Sequence, residues 1–324
     1  MVNVLGIESS AHTLGIGAYS GGKLTANEKA FYKPKKAGIH PRVAADFMAE
    51  NASEVLSSAL AKSGLKLSNF DAIAFTLGPG LGPCLQVGSA LAKTIALKTG
   101  RPLVPVNHCV AHVEVTRFVT GMRDPVVVYA SGGNTQIIVR EGDRYRVLGE
   151  TLDVGVGNMI DNFGRALGLE FAHGSEIERL GRSGTYFELP YTVKGMDFAF
   201  SGLQTAATKA LEKHSKEDTC KSLQETAFAM VVEATERAVA LTKKKEVVAC
   251  GGVAQNKRFQ EMLSTMCSER GASFATSPGE FNADNGAMIA YAGMLAFSTG
   301  VTADPMKTKV RQRYRVDDVK IGWE

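Results

Sequence analysis

Two stretches of this chain, one opening at Val2 and the other at Pro125, run through the same order of short apolar segments, and that repetition limits the fold more than any single motif. The first has an apolar run, VNVLGIE, a small polar turn, TLGIGAY, and a third run around LTANEKAFY, which together read as an antiparallel meander. A helix is predicted from Pro41 to Ala61. Next come a strand at Asp71 to Thr76, a Gly/Pro loop, a helix at about Leu85 to Lys98, a strand at Pro102 to Val106 and a helix carrying two histidines. The second stretch repeats the meander at Pro125 to Tyr129, Thr135 to Arg140 and Tyr145 to Leu148, with the turn SGGN between its first two strands. A largely helical stretch to Thr242 is broken by a polar and aromatic excursion at Tyr186 to Ser201. A strand (Glu246 to Cys250), a helix (Gln255 to Arg270), a short strand (Ser273 to Thr276) and a closing helix (Asn282 to Ser298) complete it. Two copies of one plan predict a duplicated α/β fold with a cleft between the halves. The expected boundary lies near residue 124: 1–124 carries the His pair, and 125–324 ends in a closing helix and tail that return toward the first half.

A length of 324 residues at about 150 per domain agrees with two domains, and 44% apolar residues supply their cores. No apolar stretch approaches the ~20 residues of a membrane span, and MVNVLGIESS lacks the basic and apolar regions of a signal peptide. The five cysteines, Cys84, Cys109, Cys220, Cys250 and Cys267, form no C-x-x-C pair, which argues against a disulfide framework or thiolate zinc site and for a reducing cytoplasm. Thirty-seven Lys and Arg against 33 Asp and Glu give a net charge of +4, compatible with a nucleic-acid partner without requiring one. The basic residues cluster at Lys33, Lys35 and Lys36, at Lys243 to Lys245, and at Lys309, Arg311, Arg313 and Arg315; by itself each cluster reads as a solvated loop or tail.

Three turns of small residues follow apolar strands: Glu8 to Thr13 with Ser9 and Ser10, Ser131-Gly132-Gly133-Asn134-Thr135, and Gly251-Gly252-Val253-Ala254-Gln255-Asn256. Such turns present successive backbone N–H groups to which a phosphate can approach closely. One alone is an ordinary turn, whereas three at equivalent places of a repeat suggest a nucleotide. Gly78-Pro79-Gly80-Leu81-Gly82-Pro83 lacks the Lys-Ser/Thr ending of a P-loop and reads either as a tight connection or as an anion approach. His108 and His112 stand at i and i+4, one helical turn apart on one face, a spacing that suits one shared metal ion or a chance pair. Cys109 points off that face. The residue after the first histidine is Cys109 rather than Glu, so a zinc peptidase would lack its base, Glu114 lying beyond the second histidine. Asp284, at a helix start, is the leading carboxylate ligand or else an N-cap.

With these features in order, the chain resembles the universal tRNA threonylcarbamoyladenosine transferase family, in the archaeal and eukaryotic form that is the catalytic subunit of the KEOPS complex and was once called an O-sialoglycoprotein endopeptidase. The segments that carry the resemblance are GIESSAHTLGIG, LGPGLGP, VNHCVAHVE, VYASGGNTQIIV, GETLDVGVGNMIDNF, LPYTVKGMDFAFSGL, CGGVAQNKRF, FNADNGAMIA and QRYRVDDV, which span almost the whole chain. The resemblance implies the duplicated fold of actin, hexokinase and the chaperone ATPases, the ASKHA or ribonuclease-H-like class. It implies that His108, His112 and Asp284 ligate one iron or zinc ion, with Tyr129 as a further ligand. By the same resemblance Tyr129, Ala130, Ser131, Gly132 and Gly133 hold phosphate or the acyl group, Asp161, Gly174 and Glu178 hold the ribose and its surroundings, and Asn256 meets the nucleotide. The chain departs from the family at Phe171 to Ser175, where relatives read His-Pro-Gly-Gly-Pro, and at Gln86 and Cys84, where Arg and Ser are common.

The implied reaction moves a threonylcarbamoyl group from threonylcarbamoyl-AMP to the adenosine next to the anticodon, in tRNAs reading codons that start with A, and releases AMP. Its implied cofactors are the metal ion and an adenine nucleotide, ATP or the adenylate, with magnesium as an optional companion. Its implied partners are tRNA, the enzyme that supplies the adenylate, and the KEOPS subunits: a small atypical kinase, fused to the transferase in some relatives, a small dimerising subunit and an accessory subunit. No membrane is expected. An actin-like ATPase or sugar kinase, or a nucleotide-gated scaffold subunit, would use the three turns equally well but would leave the His pair without a role.

Overall fold

The computed structural model describes residues 2–33, 40–169 and 174–323, so that Lys35, Lys36 and Phe171 to His173 lie outside the described residues. The first sheet is built outward from β1 (Val4–Glu8), buried along its whole length, which is why its sequence is a continuous apolar run rather than an alternating one. β1 pairs antiparallel with β2 (Thr13–Ser20), and β2 with β3 (Lys23–Phe31); on its other side β1 pairs parallel with β4 (Ala72–Gly78), and β4 with β5 (Leu103–Asn107). The order is β3-β2-β1-β4-β5. Successive residues of a strand face opposite ways. Leu5, Ile7, Leu14 and Ile16 enter a core with Ala44 and Met48 of α1 (Pro41–Ser63) and Ala92 and Ile95 of α2 (Gly82–Thr99). The intervening Gly6, Gly15 and Gly17 lie under α10 (Gly286–Ser298). A Cβ at Gly6 would overlap the Ala290 backbone and one at Gly17 the Ala287 backbone, so this helix approaches the strands more closely than side chains would permit. Out of β5 runs α3 (His108–Thr120), the helix with the His pair.

The second sheet has the same plan. Its meander is β6 (Val126–Ala130), β7 (Thr135–Glu141) and β8 (Arg144–Glu150), and β11 (Glu246–Cys250) and β12 (Ser273–Thr276) add in parallel beside β6, giving the order β12-β11-β6-β7-β8. The helical stretch consists of α4 (Val156–Ala166), α5 (Gly174–Gly181), α6 (Ser201–Ala210) and the long α7 (Lys216–Thr242), followed after β11 by α8 (Lys257–Glu269) and the single turn α9 (Gly279–Asn282). The aromatic excursion holds a two-stranded hairpin, β9 (Val193–Lys194) with β10 (Asp197–Phe198). Val126, Val128 and Ile137 of the sheet share a core with Phe163, Phe228 and Phe259 of these helices.

The chain divides into two compact units, Met1–Val115 with Gly142–Arg144 and Ala283–Glu324, and Thr116–Glu141 with Tyr145–Asn282. The closing helix therefore belongs to the first sheet instead of completing the second copy, because its glycine and alanine face fits the glycine face of β1 and β2. Residues 116–124, assigned from sequence to the first half, go with the second unit. After α10 the tail also stays on the first unit: Ala303 bridges to Leu103, and Arg311 donates its N–H to Leu77 at 2.7 Å. All five cysteines are buried and outside any disulfide. Among the described residues no helix is long and apolar enough to cross a membrane.

Candidate metal centre and phosphate turn

Three side chains from distant parts of the first unit converge. β5 ends at Asn107, whose Oδ1 accepts the N–H of Cys109 at 2.9 Å and of Val110 at 3.1 Å; this cap starts α3 at His108. His112 follows one turn later, and the two rings meet edge to face with centroids 4.7 Å apart. Asp284 lies in the turn between α9 and α10. The cap of α10 is its neighbour Asn285, whose Oδ1 accepts from Met288 N–H at 2.9 Å. The capping role weighed for Asp284 is thus filled, and its Oδ1 lies 3.5 Å from His108 Nε2 and 3.4 Å from His112 Nε2. One donor atom from each of the three lies within 4.8 Å of the others.

Sequence reasoning missed the residue that orients this group. Glu8, fully buried at the end of β1, accepts the Ser10 N–H on Oε1 at 2.5 Å and the Thr76 hydroxyl on Oε2 at 2.6 Å, and the same Oε2 lies 3.0 Å from His108 Nδ1. A carboxylate at Nδ1 keeps a proton there, so that Nε2, which faces Asp284 and His112, is the nitrogen left to give up its proton to an ion. The available signal was an acid closing a run of core residues, VLGIE, since a buried carboxylate needs donors.

Burial alone would lower the pKa of His108, but the charges of Glu8 and Asp284 outweigh it and hold it up at about 9. At His112 burial prevails and pushes the value down, keeping the ring neutral. Burial opposes ionisation of Asp284, yet His108 and the hydrogen bond from His112 hold it well below the usual carboxylate range. The environment therefore favours positive charge among the carboxylates together with a neutral imidazole. Two imidazole nitrogens and one carboxylate oxygen form a donor set that fits a borderline divalent ion such as zinc or iron and would leave coordination positions open.

The serine turn of the first unit is occupied internally. Ser9 is fully buried, a Cβ on Gly88 would overlap its Oγ, and Ser10 has already donated its N–H to Glu8. In the second unit the turn at Ser131 is more open. Ser131 N–H donates to Asn134 O at 2.8 Å, and its carbonyl and that of Gly132 accept from Gly157 and Asn158 at the start of α4. A Cβ at Gly155 or Gly157 would strike this turn, so the small residues of GVGN let α4 abut it. Gly132 and Gly133 are exposed. Tyr129 and Ala130, on β6, are buried. In the third turn Gly251 has φ +92° and passes beside Ala130, while Gly252 is exposed. Asn256 is engaged internally: its Oδ1 caps α8 at Phe259 N–H, 3.1 Å, and its Nδ2 donates to Gln224 Oε1 at 2.9 Å. Glu178 accepts the Lys257 N–H at 3.3 Å, and Gly174 and Asp161 are half-buried. Asp153, unremarked from sequence, ties the loop before α4 to α6 by accepting the N–H groups of Phe200 and Ser201, each at 2.9 Å.

A model of the tRNA N6-adenosine threonylcarbamoyltransferase family, TsaD, matches residues 22–291. The chain is 50% identical over 322 residues to the tRNA N6-adenosine threonylcarbamoyltransferase of Thermococcus sibiricus, covering 98% of this chain and 99% of that protein. It is 49% identical over 321 residues to a probable bifunctional tRNA threonylcarbamoyladenosine biosynthesis protein of Methanocorpusculum labreanum, covering 99% of this chain and 60% of that longer protein. Among solved structures, component A of the (R)-2-hydroxyglutaryl-CoA dehydratase of Acidaminococcus fermentans superimposes with a TM-score of 0.58 at 17% identity, over 90% of this chain and 97% of that one. That likeness speaks to fold alone, and with the two sheets of matching order it establishes the actin-like α/β class. The chain belongs to the tRNA N6-adenosine threonylcarbamoyltransferase family.

Proposed function

We propose that this chain transfers the threonylcarbamoyl group of threonylcarbamoyl-AMP to N6 of the adenosine beside the anticodon, in tRNAs reading codons that start with A. The bond from N6 to the carbamoyl carbon forms, the bond from that carbon to the phosphate oxygen breaks, AMP leaves with the electron pair and N6 gives up a proton. The observation that carries the reading is the convergence of His108, His112 and Asp284 with Glu8 behind His108, since a nucleotide switch or sugar kinase gives these residues no task. The three would hold one iron or zinc ion, which when bound supplies Lewis-acid polarisation of an acyl oxygen. Glu8 keeps the His108 proton at Nδ1. Asp284 and a neutral His112 present their donors from a rigid backbone.

The exposed turn at Gly132 and Gly133 suits the phosphate or acyl oxygen of the adenylate, with Asp161, Gly174 and Glu178 toward the ribose. Asn256, fixed by its cap on α8 and its bond to Gln224, would meet the nucleotide from the third turn. The adenine of tRNA is a weak nucleophile, because its amine lone pair is conjugated with the ring, so orientation at the acyl carbon has most of the work to do. The longer bifunctional relative supports a kinase-type partner, and the remaining KEOPS-type subunits, the adenylate supplier and a cytoplasmic location follow from the family resemblance.

The test is reconstitution with ATP, threonine, bicarbonate, the adenylate-forming enzyme and tRNA, with and without the partner subunits, read by mass spectrometry of nucleosides. Threonylcarbamoyladenosine should form and should vanish with His108→Ala and His112→Ala together. No product with every partner present, on tRNA that another enzyme modifies, refutes the proposal.

A further inference from the structure

The tail after α10 touches the metal helix at two places. Asn107 uses both ends of its side chain: Oδ1 caps α3, and Nδ2 donates to Tyr314 O at 3.0 Å and Arg315 O at 3.3 Å. It is 3% exposed and immediately precedes His108. At the far end of the tail, Trp323 Nε1 donates to Glu114 Oε1 at 2.8 Å, two residues beyond His112, and Glu114 is itself buried. Between these points the tail is fastened to the first unit by Arg144 Nη1 on Asp317 O at 3.0 Å and by Ile321 N–H on Asp143 O at 2.7 Å. Before them, Gly80 N–H reaches Gln312 O at 3.2 Å.

We infer that the segment from Tyr314 to Trp323 is a clamp on α3, and that Asn107 and Trp323 are positioning residues which set the affinity of the His108, His112 and Asp284 site for a divalent metal ion. A side chain that only capped α3 would need an acceptor, and Asp or Ser would serve; the amide donor is the extra feature, and both of its acceptors are tail carbonyls. A buried carboxylate such as Glu114 costs stability unless a donor reaches it, so the indole closes the clamp where α3 continues past its second histidine. With both ends held, the two imidazoles keep one spacing and one orientation toward Asp284. Residues that orient metal ligands without touching the metal typically change affinity by about 10–100-fold.

The inference rests on the metal reading above and is tested apart from activity. Asn107→Asp keeps the cap oxygen but sets a second oxygen against two carbonyls; Trp323→Phe keeps the ring and removes the donor. Cobalt(II) is titrated into each full-length variant against a chromophoric chelator, with the visible d–d spectrum recorded, and the metal-free melting temperature is measured alongside. Both variants should bind cobalt about tenfold more weakly with an altered spectrum, and the double variant should lose less than the product of the two losses, because either change frees the same clamp. A purely structural role would lower the melting temperature and leave cobalt affinity and spectrum as in the unsubstituted chain; affinities within twofold in both variants overturn the inference. A His112→Ala control that binds cobalt as tightly as the unsubstituted chain would instead refute the metal site itself, and the clamp with it.

Discussion

Glu8→Gln isolates the tautomer of His108 from the packing around it. The carboxylate serves three donors: Oε1 takes the Ser10 N–H, and Oε2 takes the Thr76 hydroxyl and faces His108 Nδ1. Glutamine has the same shape, but one of the two positions becomes an NH2. Placed against Ser10 N–H, that group meets another donor. Placed at the Oε2 position, it requires His108 Nδ1 to accept, which sends the ring proton to Nε2, where it faces Asp284 and blocks the lone pair. Thr76 loses little, because its hydroxyl also reaches Ile7 O at 3.3 Å. The loss should therefore fall on metal binding, by about 10–100-fold, or roughly 1.4–2.7 kcal/mol. Glu8→Ala should act differently: it leaves the Ser10 N–H and the His108 Nδ1–H buried without an acceptor, at about 1–3 kcal/mol each, so the fold itself weakens by about 2–6 kcal/mol. Chelator competition with zinc or cobalt measures the first effect and chemical denaturation of the metal-free chain the second. Glutamine that binds metal within twofold of glutamate would refute the tautomer argument, whatever happened to stability.

Gly15→Ala should both destabilise the chain and weaken metal binding, because the added Cβ would lie 2.6 Å from Gly286 N and 3.2 Å from Asn285 Cα, pushing the start of α10 and with it Asp284; overpacking of this kind costs about 1–3 kcal/mol, readable in a thermal melt. Lys309, Arg311 and Arg313 are exposed and form no ion pair with a described residue, and the strap beneath them is hydrogen-bonded in place rather than loose. If they meet tRNA phosphates, replacing all three by Gln should lower the slope of log affinity against log salt by about 2–3, and an unchanged slope in a filter-binding assay rules them out. Asp153, whose carboxyl burial would raise, is held below its ordinary value by the N–H groups of Phe200, Ser201 and Val154. A depressed folded pKa stabilises above the unfolded value and that stabilisation is lost as pH falls through the folded one. Asp153→Asn should thus be less stable than the unsubstituted chain near neutrality and converge with it below about pH 4, and parallel denaturation curves at both pH values would contradict this.

The strands were the most legible part of the chain. Glu246 to Cys250 and Ser273 to Thr276 were delimited from sequence as they fold, since short β-favouring runs flanked by turn residues have little else to become. Repetition of the meander also disclosed the two sheets. The return of the closing helix toward the first half was expected from sequence, but what seats it there, the facing glycines of β1, β2 and α10, meets only in the folded unit. Spacing drew attention to His108 and His112 and the helix start to Asp284, but whether Asp284 caps that helix is decided only by the neighbouring Asn285, which fills the cap. Glu8 and Asn107 escaped notice because their roles depend on partners 100 or more residues away, at His108 and Tyr314. Asn256, singled out from its turn, has an amide fixed within its own unit, a detail the sequence did not disclose.

Each segment of the candidate metal site pairs a capping side chain with a candidate ligand: Asn107 beside His108, and Asn285 beside Asp284. The pairing separates two tasks that a single residue could not perform together, since a carboxylate bonded to the N–H groups of its own helix has its lone pairs directed away from any ion. It also has an electrostatic consequence. α3 and α10 both begin at the site, and a helix N-terminus carries about half a positive charge, so two of them would repel a cation. Glu8 and Asp284 bring two negative charges, which offset the two helix ends and are what can make the place attractive to a cation. Loss of either carboxylate would leave the two helix ends opposing any cation held there. The buried Glu8, behind His108, is therefore as necessary as Asp284 to the charge at these two helix ends.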